Sequence, residues 1–335
     1  MGHREIACRA GGLLTLAGAS FVLAGCGSKQ DALSTHSSAA HGIASLWWNM
    51  LVGSAAAFGI LSTVLLVAYV RRRRPGVPGG GDPERAGWTV VLALGLVVPI
   101  LTVTALFLYS NIFLFRQTSV PSANAAPDDR TALTIRVIGH QFWWEVRYPG
   151  TRAVTANEIH IPARTNVRVL LYTRDVIHSF WVPELNKKVD LIPEQVNNVE
   201  LYADRPGRYR GQCAEFCGLQ HAHMGLYVFA DPPARFRRWL AAQSRPATKS
   251  SALFDDECSS CHAIRGTTAT SHVGPDLTHV GSRTSLAALA IPNSLVRMRE
   301  WIRDPQRVKP GSQMPAVALT DAQVNELARY LESLK

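Results

Sequence analysis

The sequence predicts a multidomain membrane protein: a helical hairpin crossing a bilayer twice, an all-β Greek-key sandwich, then a small all-α domain. Three observations predict it. Residues 46–70 and 88–115 are apolar stretches that each exceed the roughly 20 residues a spanning helix needs. Residues 133–230 break into short β-rich runs, among them Thr134-Ile135-Arg136-Val137-Ile138 and Gly225-Leu226-Tyr227-Val228-Phe229, bounded by Pro, Gly and Asn. Beyond a polar join at 243–251 the period becomes helical.

The amino terminus sets the compartment. Residues 1–25 have a basic start (His3, Arg4, Arg9), an apolar stretch and small residues, as a secretory signal does. Leu23-Ala24-Gly25-Cys26 reads as a bacterial lipobox, with Cys26 the lipidated mature terminus; an ordinary signal or an uncleaved anchor is the alternative. Trp47, Trp48 and Trp88 lie near the ends of the two spans, where indoles favour the interface. Between the spans runs Arg71-Arg72-Arg73-Arg74 and a Pro/Gly-rich turn to Arg85, a loop that faces the cytoplasm by the positive-inside rule. Everything after residue 115 is then extracytoplasmic, on the periplasmic face of a bacterial inner membrane. The net charge of +10 carries no nucleic-acid signal, because the Arg run is explained by topology.

One phrase inside the β region carries the chemistry. Cys213-Ala-Glu-Phe-Cys217-Gly-Leu-Gln-His221-Ala-His-Met224 brings together two thiolates, an imidazole and a thioether. Such soft ligands beside imidazole select copper, and two Cys at this spacing suggest two coppers bridged by both sulfurs. Zinc also takes Cys and His, but Met is a poor zinc ligand. The phrase lies between two strand runs, so it is a loop at one end of the sandwich. His178, in Asp175-Val176-Ile177-His178-Ser179-Phe180, follows a strand and can reach the same end.

Cys258-Ser-Ser-Cys261-His262 is the signature of covalent c-type haem attachment; a redox dithiol is the alternative. The second axial ligand is expected at Met314, in a Pro/Gly loop that presents a thioether; Met298, in an expected helix at 293–303, is the competitor. Thr320-Asp-Ala-Gln323 is a capping box, and Val324, Leu327 and Leu331 then line a face that packs on the helix carrying Leu253 and Phe254. Of the six Cys, Cys8 leaves with the signal, Cys26 takes lipid, two bind copper and two bind haem, so no disulfide framework remains.

Assembled in this order, the residues resemble subunit II of haem–copper cytochrome c oxidases of the bacterial type with a fused cytochrome c domain. Gly139-His140-Gln141-Phe142-Trp143-Trp144, Val176-Ile177-His178-Ser179, the copper phrase and CxxCH follow the family's order. The resemblance implies a cupredoxin at 130–235 holding dinuclear copper (CuA) and a class I cytochrome c domain at 246–335. It implies His178 and Met224 on one copper, with His221 and the Glu215 carbonyl on the other. The Glu215 carboxylate would reach a magnesium ion shared with subunit I, and His223 matches no ligand. The electron-receiving aromatic is Phe142 where the family has Trp, leaving Phe142, Trp143 and Trp144 as candidates. Many relatives place a Glu three residues before the Trp of the second span; Arg85 stands there and Glu84 is one residue off, so proton uptake is not assigned.

The implied role is electron relay from an outer donor, cytochrome c or a quinol–cytochrome c reductase, through haem c and CuA into subunit I. Oxygen would be reduced there with proton pumping, alongside subunit III. The chain would thus be a non-catalytic subunit of a cytochrome-c oxidase, an oxidoreductase and translocase, since no span here holds the several His an oxygen site needs. A CuA subunit of a nitric oxide reductase and a membrane-anchored carrier without catalytic partner are the alternatives.

Overall fold

In the computed structural model the described residues are 30–72, 83–114 and 132–335. The expected signal, Cys26, Arg73, Arg74 and Phe115 lie outside them. Helix α1 is Ser38–Arg72. Its first two turns bury one side, at Ala39, Ala40 and Ala44, and Ser37 caps it by accepting from Ala40 N at 3.0 Å. The chain just before it is pinned to the sandwich, His36 N donating to Glu184 O and Asp204 N to His36 O, both at 2.9 Å. The second span joins α2 (Pro83–Leu92), a π turn at Ala93–Val97 and α3 (Val98–Tyr109). The widened turn sits just before Pro99, which has no N–H to give the carbonyl one turn back. Ser38–Arg71 and Gly87–Ile112 are long and apolar enough to cross a membrane, and among the described residues most of their large apolar side chains are exposed.

Ten strands form the sandwich. One sheet has the order β3 (Val154–Ala156), β2 (Trp143–Arg147), β1 (Leu133–His140), β5 (Val167–Thr173), β8 (Asn197–Leu201). The other runs β4 (Glu158–Pro162), β10 (Gly225–Asp231), β9 (Gly207–Cys213), β6 (His178–Trp181), β7 (Val189–Leu191). β1 pairs in parallel with β5, and β4 with β10; the remaining pairs are antiparallel. Alternate residues point inward, so Ile135, Val137, Val167, Val169, Leu171, Leu226 and Val228 fill the core with Trp144, Tyr148 and Phe180. Helix α4 (Pro233–Gln243) closes the bottom, with the Trp239 ring stacked on His160 at 4.0 Å.

The last domain is built from short capped helices. α5 (Ala252–Glu257) and α6 (Leu295–Arg303) start at Ser251 and Ser294, each accepting a backbone N–H. The α6 helix expected from 293 begins later because Ser294 is its cap rather than its interior. α7 (Pro305–Val308) follows, and α8 (Asp321–Ser333) opens on the Thr320/Gln323 capping box. Val324, Leu327, Ala328 and Leu331 are buried with Phe254. The polar join is fastened rather than free: Ala247 N donates to Arg265 O at 2.7 Å, and the His279 ring reaches Arg245 O at 3.0 Å. All these elements belong to one unit, Ala32–Lys335.

Candidate copper and haem centres

Strand geometry assembles the first site. Cys213 is the last residue of β9, Met224 immediately precedes β10, and β9 and β10 are paired, so the phrase between them is a tight excursion at one sandwich end. His178 follows β5, as expected, but it also opens β6, which pairs with β9 and turns the imidazole inward. Cys213 Sγ lies 3.9 Å from His178 Nδ1, 3.9 Å from Cys217 Sγ and 3.1 Å from the Glu215 carbonyl. Cys217 Sγ lies 3.7 Å from His221 Nδ1 and 3.8 Å from Met224 Sδ. Both sulfurs and His178 are buried, and their ligand atoms fall within 4.8 Å of one another. His223 turns away to bond Gln220 Oε1 at 2.7 Å.

The electrostatics ask for a cation. Cys213 is pulled down to about 3, first by its thiol neighbour Cys217 and then by His178, against burial. Cys217 is pushed up, first by the Cys213 thiolate and then by burial. Two thiolates cannot share this space unless positive charge sits between them, which a metal pair supplies. His178 Nε2 donates to Asp175 Oδ1 at 2.7 Å, which leaves the Nδ1 lone pair on the sulfur side. Gly139 lies behind that ring: a Cβ there would stand 2.8 Å from His178 Cδ2. Soft donors, burial and a fixed tautomer fit copper. The Glu215 carboxylate is 44% exposed and 3.9 Å from Lys188.

The second site is a cleft in the helical domain lined by Cys258, Cys261, His262, Met298 and Met314 with apolar Leu277, Ile302 and Leu327. Burial holds the His262 imidazole below its usual range, keeping it neutral, and Nδ1 donates to Pro275 O at 2.9 Å. Nε2 is thereby the nitrogen that would bind an iron. Both sulfurs are unpaired thiols, and Cys258 is pushed up to about 11 by burial and neighbouring Glu257. Met298 packs in the α6 core at 2% exposure, whereas Met314 sits on the Pro/Gly loop. The donor set and apolar lining fit a covalently held haem.

Both domains match known families. Residues 151–230 match the family described as Cytochrome C oxidase subunit II, periplasmic domain, and residues 247–335 match Cytochrome c. Cytochrome c oxidase subunit 2 of Alkalihalophilus pseudofirmus is 32% identical over 81% of this chain and 80% of that protein. The chain belongs to the cytochrome c oxidase subunit 2 family. Cytochrome c oxidase subunit 2 of Bacillus sp. (strain PS3) is 29% identical over 79% of this chain and 80% of that protein. The periplasmic domain of subunit II of cytochrome oxidase from Bradyrhizobium japonicum is 28% identical over 36% of this chain and 96% of that structure, with a TM-score of 0.34. Family membership gives the chain copper and haem domains in an oxidase complex, on a membrane anchor whose two helices the structure contains.

The aromatic candidates separate by position. Trp144 is wholly buried, its Nε1 donating to Met224 O at 3.2 Å, so it presents no face to an outside partner. Phe142 and Trp143 both line the haem cleft, although they belong to the β domain. Phe142 also touches the copper loop: a Cβ on Gly218, whose φ is +126°, would lie 3.1 Å from its ring. Sequence reading passed over Asp175, Gly139, Gly274 and Lys309 as functional positions. Gly274 backs His262 as Gly139 backs His178. Burial pushes the Lys309 amine down to about 7, while neighbouring Cys217 pulls the other way.

Proposed function

We propose that the chain relays electrons from haem c, held by Cys258, Cys261, His262 and Met314, to a dinuclear CuA centre. From there they pass to the oxygen-reducing haem–copper site of subunit I, coupled to proton pumping, in a complex that also contains subunit III. His178 and Met224 would hold one copper, His221 and the Glu215 carbonyl the other, with the Cys213 and Cys217 thiolates serving both. The Glu215 carboxylate would bind a magnesium ion shared with subunit I. The outer donor is cytochrome c or a quinol–cytochrome c reductase, and both domains face the periplasm of a bacterial inner membrane.

Bound metals would supply one-electron redox states; the chain supplies geometry. The observation that carries the reading is Phe142, which lines the haem cleft and lies against Gly218, the residue after Cys217. Gln141 works beside it: its N–H donates to Asp175 Oδ2 at 2.6 Å, and its side-chain amide donates to the Cys217 carbonyl. One dipeptide therefore touches the haem cleft, the copper loop and the carboxylate that orients His178. Buried Phe180 and Trp144 exclude water from the copper side. Flash reduction of haem c, followed at the copper absorption over a tenfold dilution, tests the relay. The rate should be independent of protein concentration, and a rate falling in proportion to dilution would make an external carrier the immediate donor.

A further inference from the structure

Lys309 belongs to the helical domain, yet it is 3% exposed and reaches into the β domain. Its Nζ donates to Phe142 O at 2.8 Å, His223 O at 2.8 Å and Ala287 O at 3.0 Å. The first two carbonyls are on the copper domain and the third on the haem domain. When protonated, the amine has three N–H donors and a carbonyl acceptor for each, which offsets the burial that pulls its pKa down.

The ground around it is strained. Ala287, Ala288 and Leu289 have φ of 52°, 57° and 68°, three successive left-handed residues without a glycine. L-residues avoid that region, so the turn persists because its surroundings hold it. Those surroundings are the domain boundary. Ala287 O accepts from Lys309, Ala288 O accepts from Gly225 N at 3.2 Å, and Leu289 lies against Gly225. Gln220 Nε2 donates to Pro310 O at 2.6 Å, and Glu158 Oε1 accepts from Thr284 N at 2.7 Å.

We propose that Lys309 is a positioning residue: it latches the haem domain onto the copper loop and so fixes the haem-to-copper distance. The inference rests on the ligand assignments above. Lys309 shares its loop with Met314, and it grips the main chain at Phe142 and at His223, the residue before Met224. The transfer it serves moves one electron from the haem iron to the copper pair, with no bond or proton changing place. Tunnelling falls exponentially with distance, so a docked geometry gives one fast rate and an undocked one waits for redocking.

Lys309→Met removes the three donors at nearly constant volume, and Gly225→Ala sets a methyl 3.0 Å from Leu289 Cδ1. Both are made in the full chain loaded with copper and haem. Hydrogen exchange at the Thr284 amide, which donates across the boundary to Glu158 and bonds neither substituted residue, reports docking without any electron transfer. It should accelerate at least tenfold in each variant, and haem-to-copper transfer should slow at least tenfold and become viscosity-dependent. Copper resonance and haem potential should not move, which separates loss of docking from loss of either site. Unchanged Thr284 exchange in the variant that folds overturns the latch. Faster exchange with an unchanged transfer rate overturns its positioning role. A wild-type protein lacking a shared copper signal would sink the ligand reading instead, with the exchange result still deciding the latch.

Discussion

Gly274 lies directly behind the imidazole of His262, and giving it a side chain should disable the haem site from within. A Cβ there would stand 2.6 Å from Cε1 and 2.8 Å from Nδ1, where ordinary contact starts near 3.4 Å. In Gly274→Ala something must yield by about 0.8 Å, far up the repulsive wall. The backbone cannot easily do so, because Gly274 N donates to Cys261 O at 2.7 Å, inside the CxxCH turn. The ring yields instead, and its Nδ1 bond to Pro275 O, now 2.9 Å, is stretched past useful length. A lost hydrogen bond costs about 1 kcal/mol and overpacking about 1–3 kcal/mol, so the domain should lose roughly 2–4 kcal/mol. Covalent attachment through Cys258 and Cys261 should survive, as a haem stain on a denaturing gel would show. Optical and paramagnetic spectra should report a weakened or missing His ligand, with a shifted potential and a lower melting temperature. Gly274→Ala protein with wild-type spectrum, potential and melting temperature would refute the reasoning.

Met314→Ala should remove the near-infrared sulfur-to-iron band and lower the haem potential, because His/Met ligation raises it; Met298→Ala should lower stability and leave the band. The Glu145 carboxyl is held below its usual range: burial alone would raise it, but hydrogen bonds from His140 and Arg147 prevail. That contribution is complete above the unfolded value of about 4.3 and lost as pH falls through the folded one. Chemical denaturation between neutral and acid pH should therefore show a steeper acid loss in wild type than in Glu145→Gln, and parallel curves would exclude the effect. Stripping copper should expose Cys213 and Cys217, 3.9 Å apart, to mild oxidants. Thiol titration should then find both consumed and copper uptake blocked until a reductant is added; two persistent thiols would contradict the pairing.

The two cofactor signatures were legible because each is local. Cys213 to Met224 spans one excursion between paired strands, and CxxCH spans one hydrogen-bonded turn after α5, so spacing alone carries the chemistry. The capping box at Thr320 and the buried face of α8 were legible for the same reason. What sequence could not give is the long-range contact. Asp175 matters because it faces His178 across a turn, and Gly139 because an adjacent sheet brings that ring within 2.8 Å of its missing methyl. Lys309 is 167 positions from Phe142 and looks, in sequence, like a surface lysine before a Pro/Gly loop. The join at 243–251 is merely polar in sequence, but its backbone bonds to the haem domain. Trp144, a candidate for receiving electrons, is a core residue because β2 turns it inward, while Trp143 points the other way and stacks on His140 at 4.2 Å.

The account stands on one shared copper site, and low-temperature electron paramagnetic resonance of the copper-loaded protein tests it most directly. One unpaired electron shared equally by two copper nuclei gives a seven-line pattern, as expected of metals bridged by two thiolates. The wild type and His223→Ala should both show it, and Cys217→Ser should lose it. A four-line, single-copper spectrum from fully loaded wild-type protein would contradict the account.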